Sequence, residues 1–227
     1  NPNKPTWENR DKFILSKGQA SPVLYTTLSE AGFFPKDWVT KFCCPGEAHF
    51  GVHVQKDVPG VEITAGSLGH GLGIGAGIAL AAKMNRKDYF TFVILGDAEC
   101  QEGSNWEAAM FASQYRLNNL IAFVDRNWLG VIDYTERAVG LEPFDKKWES
   151  FGWEVKRING HSFEEILKAL GDFRSFPRQK PLMIIADTVK GQGVYFMQHC
   201  PLWHGISPKD KEAENAVKEL KIFNQNG

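Results

Sequence analysis

The sequence predicts an α/β fold in which helices cover both faces of a doubly wound, mostly parallel sheet. Two short apolar runs, residues 91–95 (TFVIL) and 120–124 (LIAFV), are rich in β-branched and aromatic side chains, which is typical of buried parallel strands. Residues 102–111 between them have the composition of a crossover helix, and further apolar runs alternate with helical segments toward the end of the chain. This alternation predicts one sheet within a single domain spanning residues 1–227.

The first part of the chain is predicted to consist of helices and a loop. Residues 8–32 show an apolar face that includes Phe13 and Leu24, which indicates a mostly helical segment. Prolines and glycines between residues 45 and 59 indicate a loop. Residues 68–84 are predicted to form a helix rich in glycine and alanine. Because glycine at this density weakens an isolated helix, we expect another backbone or a ligand to approach it closely.

The second part is predicted to alternate strands and helices. Residues 153–158 and 182–188 are predicted strands. A helix is expected to begin after Ser162, because serine is a favoured N-cap and Glu165, three residues on, completes a capping box. Residues 208–221 are predicted to form a closing amphipathic helix.

Composition excludes several classes of partner. The 227 residues are 43% hydrophobic and 23% charged, with a formal net charge of −1, so no nucleic-acid partner is predicted. No apolar stretch reaches membrane-spanning length, so no membrane association is predicted. Four cysteines without CxxC spacing predict reduced thiols and a cytoplasmic protein. Cys43 and Cys44 are adjacent, which leaves metal binding or oxidation open beside a loop position without a special role.

Polar residues follow both central predicted strands. Gly96, Asp97 and Ala98 come directly after the first strand, and Asn127 follows the second. Because ligands of open α/β sheets bind at the carboxyl ends of the strands, we expect Asp97 and Asn127 to share that edge. A carboxylate and an amide carbonyl are hard oxygen ligands that suit Mg²⁺ or Ca²⁺, and Mg²⁺ in such sites is usually completed by phosphates. The alternative is a strand-end turn at Asp97 and a cap at Asn127.

Several segments resemble transketolases, and they occur in the order found in that family. They are residues 10–18, 59–71, 96–109, 119–129, 188–191 and 203–205. This resemblance covers nearly the whole chain and implies the thiamine diphosphate-binding fold of the diphosphate-binding type. It implies thiamine diphosphate as the cofactor, held with Mg²⁺ or Ca²⁺.

The resemblance also implies a partner. The pyrimidine-binding half and the C-terminal domain of transketolases have no counterpart in this sequence, and in that family the other half supplies the glutamate that protonates the aminopyrimidine. We therefore expect the N-terminal subunit of a split, two-chain enzyme, active only with a C-terminal transketolase-like subunit in a hetero-oligomer, expected to be a heterotetramer. Because the chain begins at Asn1 without Met, we expect the native N-terminus to lie upstream. The end of the chain favours a natural subunit over a fragment of a longer protein.

For the cofactor, the resemblance implies specific ligands. Asp97 and Asn127 would bind the metal through their side chains and Leu129 through its backbone carbonyl. Gly96 and Ala98 would lie at the diphosphate with Asn127, and Ala98 stands where the family has glycine. The cofactor rings would pass along Gly66, Ser67 and Leu68, and an ordinary core position is the alternative for Leu68.

The resemblance implies three catalytic residues and two interface residues. His53 would lie on the substrate side, and His204 would lie near the diphosphate and the donor hydroxyls, where a histidine can move protons. Gln19 stands where the family has histidine, and an amide cannot exchange protons near neutral pH. Glu102 and Glu107 would link the two active sites of a dimer. The simpler interpretations are structural histidines and a solvated helix face.

These features imply a transferase that moves a two-carbon ketol unit from a ketose to an aldose, with a sugar or sugar phosphate as substrate. Gln19 leaves open a carboligase that decarboxylates a 2-oxo acid such as pyruvate. A non-catalytic regulatory subunit is a third interpretation. A nicotinamide-binding Rossmann protein is disfavoured, because residues 69–73 lack the preceding strand and the acidic ribose ligand of that fingerprint.

Overall fold

Five parallel strands form a single sheet at the centre of the structure. The computed structural model describes residues 1–46, 50–171, 173–174 and 179–226. In this part of the chain the strand order is β1-β2-β3-β5-β4, and every neighbouring pair is parallel. The strands are β1 (Lys12–Leu15), β2 (Thr91–Gly96), β3 (Leu120–Arg126), β4 (Glu154–Asn159) and β5 (Leu182–Asp187).

Helices cover both faces of this sheet, as the sequence predicts. They are α1 (Ser21–Glu30), α2 (Asp37–Thr40), α3 (Gly71–Met84), α4 (Gly103–Gln114), α5 (Thr135–Ala138), α6 (Phe144–Ser150), α7 (Phe163–Leu170) and α8 (Asp210–Asn226). Helices α3, α4 and α6 share one core with Ile14, Val93 and Val124, which project from one face of the sheet. On the other face, α1 packs with Leu15 and Ile94, and α7 packs against the side of β3 and β5. None of the helices described is long and apolar enough to cross a membrane.

The predicted helix over residues 8–32 is wrong at its start. Lys12–Leu15 is strand β1, paired in parallel with β2 from Thr91 to Ile94, and the helix is confined to α1. A short apolar run fits a strand and a helix turn equally well by periodicity, and here pairing with β2 decides. The correction matters for function, because β1 delivers the residues after it to the carboxyl edge of the sheet.

The glycine-rich helix α3 makes the close approach predicted for it. A Cβ on Gly75 would lie 2.6 Å from the Val93 side chain on β2, and one on Gly71 would lie 2.8 Å from the Ser16 backbone. The missing side chains therefore let α3 rest directly on the sheet.

The predicted capping box at the start of α7 forms in part. Ser162 Oγ accepts a hydrogen bond from the Glu165 backbone N–H at 3.2 Å, as expected. The Glu165 carboxylate accepts from the Asn159 backbone N–H at 2.8 Å rather than from that of Ser162. The glutamate thus fixes the end of β4 as well as the start of the helix. Of the predicted loop over residues 45–59, residues 47–49 lie outside the described part of the chain.

Candidate functional site

Four adjacent strands deliver polar side chains to one edge of the sheet. Lys17 follows β1, Asp97 follows β2, Asn127 follows β3, and Lys190 follows β5. All four strands are parallel, so these residues leave the sheet at its carboxyl edge, where ligands of such sheets bind. Asp97 and Asn127 were expected here, whereas the two lysines were not singled out from the sequence.

Asp97 is 1% exposed, and both of its carboxylate oxygens accept hydrogen bonds at the end of β2. Its Oδ1 accepts from the Ala98 backbone N–H at 2.7 Å, and its Oδ2 accepts from the Trp128 backbone N–H at 2.6 Å and from Arg126 at 3.2 Å. Burial raises the pKa of Asp97 above its ordinary value, and these donors offset part of that rise. The carboxylate therefore ties the end of β2 to the turn after β3.

Asn127 is 5% exposed and forms the first residue of that turn. Its Nδ2 donates to the Asp125 carbonyl and carboxylate, each at 3.3 Å, and its Oδ1 accepts from the Leu129 backbone N–H at 3.1 Å. Leu129 and Tyr134 face each other in an isolated antiparallel β-bridge. The hydrogen bonds of this bridge are made by the backbone groups of the residues on either side of Leu129. The Leu129 carbonyl oxygen therefore accepts no hydrogen bond within this bridge.

A cluster of charges lies beside the turn. The Lys17 ammonium and the Thr188 hydroxyl both donate to the Asp125 carboxylate. Burial alone would raise the pKa of Asp125, but the charge and hydrogen bond of Lys17, with Thr188 and Lys190, hold it below its ordinary value. Burial and the positive charge of Lys17 lower the pKa of Lys190. The carboxylates of Asp125 and Asp97 act on the pKa of Lys190 in the opposite direction, so the two lysines share this edge of the sheet with two acidic groups.

His204 lies beside these lysines on the segment that precedes α8. Burial first, and then the charges of Lys190 and Lys17, lower the pKa of its imidazole, so the ring is neutral at pH 7. Its Nδ1 is buried and has no hydrogen-bond partner among the described residues. A buried ring nitrogen needs a hydrogen-bond partner, and a bound ligand or an ordered water can supply it.

The loop before α3 brings two further predicted residues together. Gln19 Nε2 donates to the Gly66 carbonyl at 2.8 Å. The His53 ring lies against Gly66, where a Cβ would come within 2.8 Å of the imidazole. Gly66 is therefore a position without room for a side chain, with Gln19 and His53 both in contact with it.

Glu99 joins this loop to the Asp97 turn, and nothing in the sequence singles it out. Its buried carboxylate accepts from the Gly96 backbone N–H at 2.9 Å, from the Gly69 backbone N–H at 3.0 Å and from the Ser16 hydroxyl. The loop at residues 66–69 and the turn at residues 96–98 are thus fixed to each other by one side chain.

The other predicted residues lie around this edge. Ser67 is exposed and Leu68 is half-buried at the loop, and Gly96 and Ala98 are half-buried at the turn. Glu102 precedes α4 and lies within 2.7 Å of where a Gly69 Cβ would be, and Glu107 is exposed on α4. The structure therefore places Glu102 next to the loop at residues 66–69, and Glu107 lies within α4, farther along the chain.

Residues 1–225 match the family model described as the thiamine diphosphate-binding domain of transketolase. The chain belongs to the transketolase family. One of the subunits of apulose-4-phosphate transketolase from Phocaeicola vulgatus is 41% identical over 221 residues, covering 96% of this chain and 77% of that protein. The 6-deoxy-6-sulfo-D-fructose transketolase subunit of a Clostridium species is 37% identical over 220 residues, covering 97% of this chain and 80% of that protein.

Solved transketolase structures share the fold. Transketolase from Leishmania mexicana superposes with a TM-score of 0.88 at 28% identity, covering 97% of this chain and 34% of that one. The Campylobacter jejuni enzyme gives a TM-score of 0.84 at 28% identity, covering 100% of this chain and 40% of that one. This transketolase-family chain therefore spans well under half of those structures.

The residues at the edge fit the cofactor of the transketolase family. Lys17, Lys190 and the unpartnered Nδ1 of His204 offer charge and a hydrogen-bonding atom to a diphosphate. Asp97 and Asn127 offer hard oxygens to a divalent cation. The described residues contain no cluster of three or more His, Cys, Asp or Glu arranged around a metal. That is compatible with the predicted ligands, because only Asp97 among them is of these types.

Proposed function

We propose that this chain is the cofactor-diphosphate subunit of a split transketolase-like enzyme that transfers a two-carbon ketol unit from a ketose donor to an aldose acceptor. The observation that carries the proposal is the convergence of Asp97, the 127–129 turn, Lys17, Lys190 and His204 at one edge of the sheet. When bound, thiamine diphosphate supplies the nucleophilic carbon and the electron sink for such a transfer.

The proposed metal is Mg²⁺, with Ca²⁺ as the alternative. Asp97 and Asn127 would contribute side-chain oxygens and Leu129 its backbone carbonyl, with the diphosphate completing the set. Lys190 and His204 would face the diphosphate directly. Lys17 is already paired with Asp125 and would act on the same anion through its charge.

On the substrate side, His53 and His204 would hold or move protons, and Gln19 would donate a hydrogen bond. His204 is neutral at pH 7 and can accept a proton from a donor hydroxyl. Gly66, Ser67 and Leu68 would pass along the cofactor rings, and the missing side chain at Gly66 leaves room for their approach.

The proposed partner is a C-terminal transketolase-like subunit that carries the pyrimidine-binding half. Two relatives that this chain covers to 77% and 80% of their length are named as transketolase subunits, which supports a two-chain enzyme, with a heterotetramer as the proposed assembly. Glu102, beside the Gly69 loop, and Glu107 would lie at the contact between active sites. The proposed substrates are sugars or sugar phosphates, and the proposed location is the cytoplasm.

The function is tested by titrating thiamine diphosphate with Mg²⁺ into this chain, with and without the partner subunit, and then screening donors on the complex. We expect saturable, Mg²⁺-dependent binding that tightens with the partner, followed by ketol transfer from a ketose. Consumption of a 2-oxo acid with release of CO₂ would contradict the ketose assignment. Absence of binding in both states would instead favour a regulatory role for this chain.

The Gln19→His variant tests the role of the amide. Wild-type Gln19 cannot titrate, whereas an imidazole there would ionise at a pH of about 6.5. We therefore expect the pH profile of kcat/KM to gain an ionisation in this range in Gln19→His, measured with the preferred donor. Gln114→His, at the exposed end of α4, is the control. Superimposable profiles for all three proteins would show that position 19 takes no part in proton transfer.

A further inference from the structure

Arg126 is a fully buried cation at the last position of β3. Its Nη1 donates to Asp97 Oδ2 at 3.2 Å and to Thr135 Oγ1 at 2.7 Å, and its Nη2 donates to Glu136 at 2.8 Å and Glu142 at 3.1 Å. A buried arginine with this many partners is costly to place, and none of the cofactor contacts proposed for this edge uses it. Its position therefore requires a separate physical reason.

Arg126 contacts the turn after β3 as well as Asp97. Its guanidinium carbon lies 3.7 Å from the centroid of the Trp128 ring, which is stacking distance. Trp128 stands between Asn127 and Leu129 with φ of 68°, a left-handed conformation that a bulky side chain adopts only when its surroundings impose it. The stacked guanidinium supplies such a constraint.

Thr135 closes the same unit. Its backbone N–H donates to the Trp128 carbonyl at 2.9 Å, while its hydroxyl accepts from Arg126. The turn is therefore held by two contacts, the stacking of Arg126 on Trp128 and the hydrogen bond from Thr135 to the Trp128 carbonyl, and both Trp128 and Thr135 contact the same guanidinium. Asp97 is joined to this unit twice, through Arg126 and through the Trp128 backbone N–H.

Carboxylates outnumber the guanidinium groups around Arg126. The carboxylates of Asp97, Glu136 and Glu142 all contact Arg126, and among the described residues only Glu142 has a second cation, Arg157, at 3.5 Å. The two glutamates engage Nη2 and leave Nη1 to Asp97 and the Thr135 hydroxyl. Asp97 is thus oriented by Arg126 without being fully neutralised, as a metal ligand requires.

We propose that Arg126 is the positioning residue of the metal site, holding Asp97 and the 127–129 turn in register with each other without touching the metal or the cofactor. This inference rests on the proposed function, and in particular on its three metal ligands. In this inference the Arg126 side chain sets the positions of all three metal ligands. Asp97 contacts the guanidinium directly, and Asn127 and Leu129 flank the tryptophan that stacks on it.

The test measures metal binding separately from stability. Mn²⁺ binding to the full chain with thiamine diphosphate present is followed by electron paramagnetic resonance, and thermal unfolding is recorded in EDTA. Arg126→Met removes the cation. Arg126→Lys keeps the charge but cannot span these partners or stack as a plane. Both variants are expected to bind Mn²⁺ about 10- to 100-fold more weakly, the usual effect of losing a partner behind a metal ligand.

Arg157→Met is the matched control. Arg157 also lies near Trp128, at 5.8 Å, and within 3.5 Å of Glu142, but its main partner is Asp187 and it does not contact Asp97. Its variant is expected to change stability and leave the Mn²⁺ affinity within about twofold, since the site partners lie elsewhere.

Two results would overturn the proposal while leaving the proposed metal site intact. If Arg126→Lys unfolds at a lower temperature but binds Mn²⁺ as the wild type does, Arg126 supports the fold alone. If Arg157→Met weakens Mn²⁺ binding as much as Arg126→Lys does, the effect comes from general loss of positive charge. Failure of the wild-type chain to bind Mn²⁺ would instead refute the metal site itself, and with it this inference.

Discussion

Replacing Asp97 with alanine is expected to abolish Mg²⁺-dependent binding of thiamine diphosphate. The side chain is the one carboxylate in the proposed metal set, and both of its oxygens are held in place by backbone N–H donors of Ala98 and Trp128. Alanine removes the charge and also breaks the link between the end of β2 and the turn after β3. Loss of a partner behind a ligand usually costs about 10- to 100-fold in metal affinity, so loss of the ligand should cost more.

The measurement is calorimetric titration of thiamine diphosphate at saturating Mg²⁺ and again in EDTA. Asp97→Asn retains the shape of the side chain and one oxygen ligand, but its NH2 group would face an N–H donor of Ala98 or Trp128, so we expect it to bind more weakly than wild type and better than Asp97→Ala. Asp37→Ala, at an exposed position in the first turn of α2, is the control and should bind normally. Mg²⁺-dependent binding by a folded Asp97→Ala protein would show that the metal lies elsewhere.

Replacing Lys190 with methionine is expected to weaken binding of thiamine diphosphate without destabilising the cofactor-free chain. The ammonium is disfavoured where it lies, because burial and the charge of Lys17 lower its pKa. A bound diphosphate would reverse that balance. Hydrogen bonds to charged groups contribute about 1.5–3 kcal/mol, which corresponds to a loss of affinity of roughly 10- to 150-fold.

The same variant should change the titration of His204. Burial, Lys190 and Lys17 lower the pKa of His204, so removing Lys190 should raise it. Because the folded chain lowers the pKa of this ring, its contribution to stability is fully present above the unfolded pKa of about 6.5 and is lost as the pH falls from there through the lower pKa of the folded chain. In Lys190→Met the loss on acidification should be smaller.

Nuclear magnetic resonance of the His204 ring protons and thermal unfolding between pH 5 and pH 8, roughly the range in which histidines titrate, check both expectations. Lys168→Met, at an exposed position on α7, is the control and should alter neither the affinity nor the His204 titration. A cofactor affinity unchanged in Lys190→Met would remove Lys190 from the proposed diphosphate site.

The amino-acid sequence determined the parts of the fold that depend on continuous apolar runs. Strands β2, β3 and β5 were predicted within a few residues, because buried parallel strands are apolar on both faces and the runs are bounded by polar residues. Asp97 and Asn127 could be placed on one edge for the same reason, since the carboxyl ends of parallel strands share that edge.

Strand β1 could not be recognised from the sequence. Its four residues contain an apolar run too short to separate a strand from a turn of helix, and it lies at the edge of the sheet, where only β2 pairs with it. Without β1, the hydrophobic pattern does not bring Lys17 to the carboxyl edge of the sheet, and only the family resemblance over residues 10–18 pointed to this segment.

Only the tertiary structure decided which charges meet. The strand order β1-β2-β3-β5-β4 is not the order in the chain, and it brings Lys17 and Lys190 to the same edge of the sheet although they lie far apart in the sequence. In the sequence, Arg126 is typical of the polar end of a strand. In the structure, residues from three separate segments surround its guanidinium. Hydrophobic pattern is local and can be read along the chain, whereas the pairing of buried charges depends on which segments the fold places next to each other.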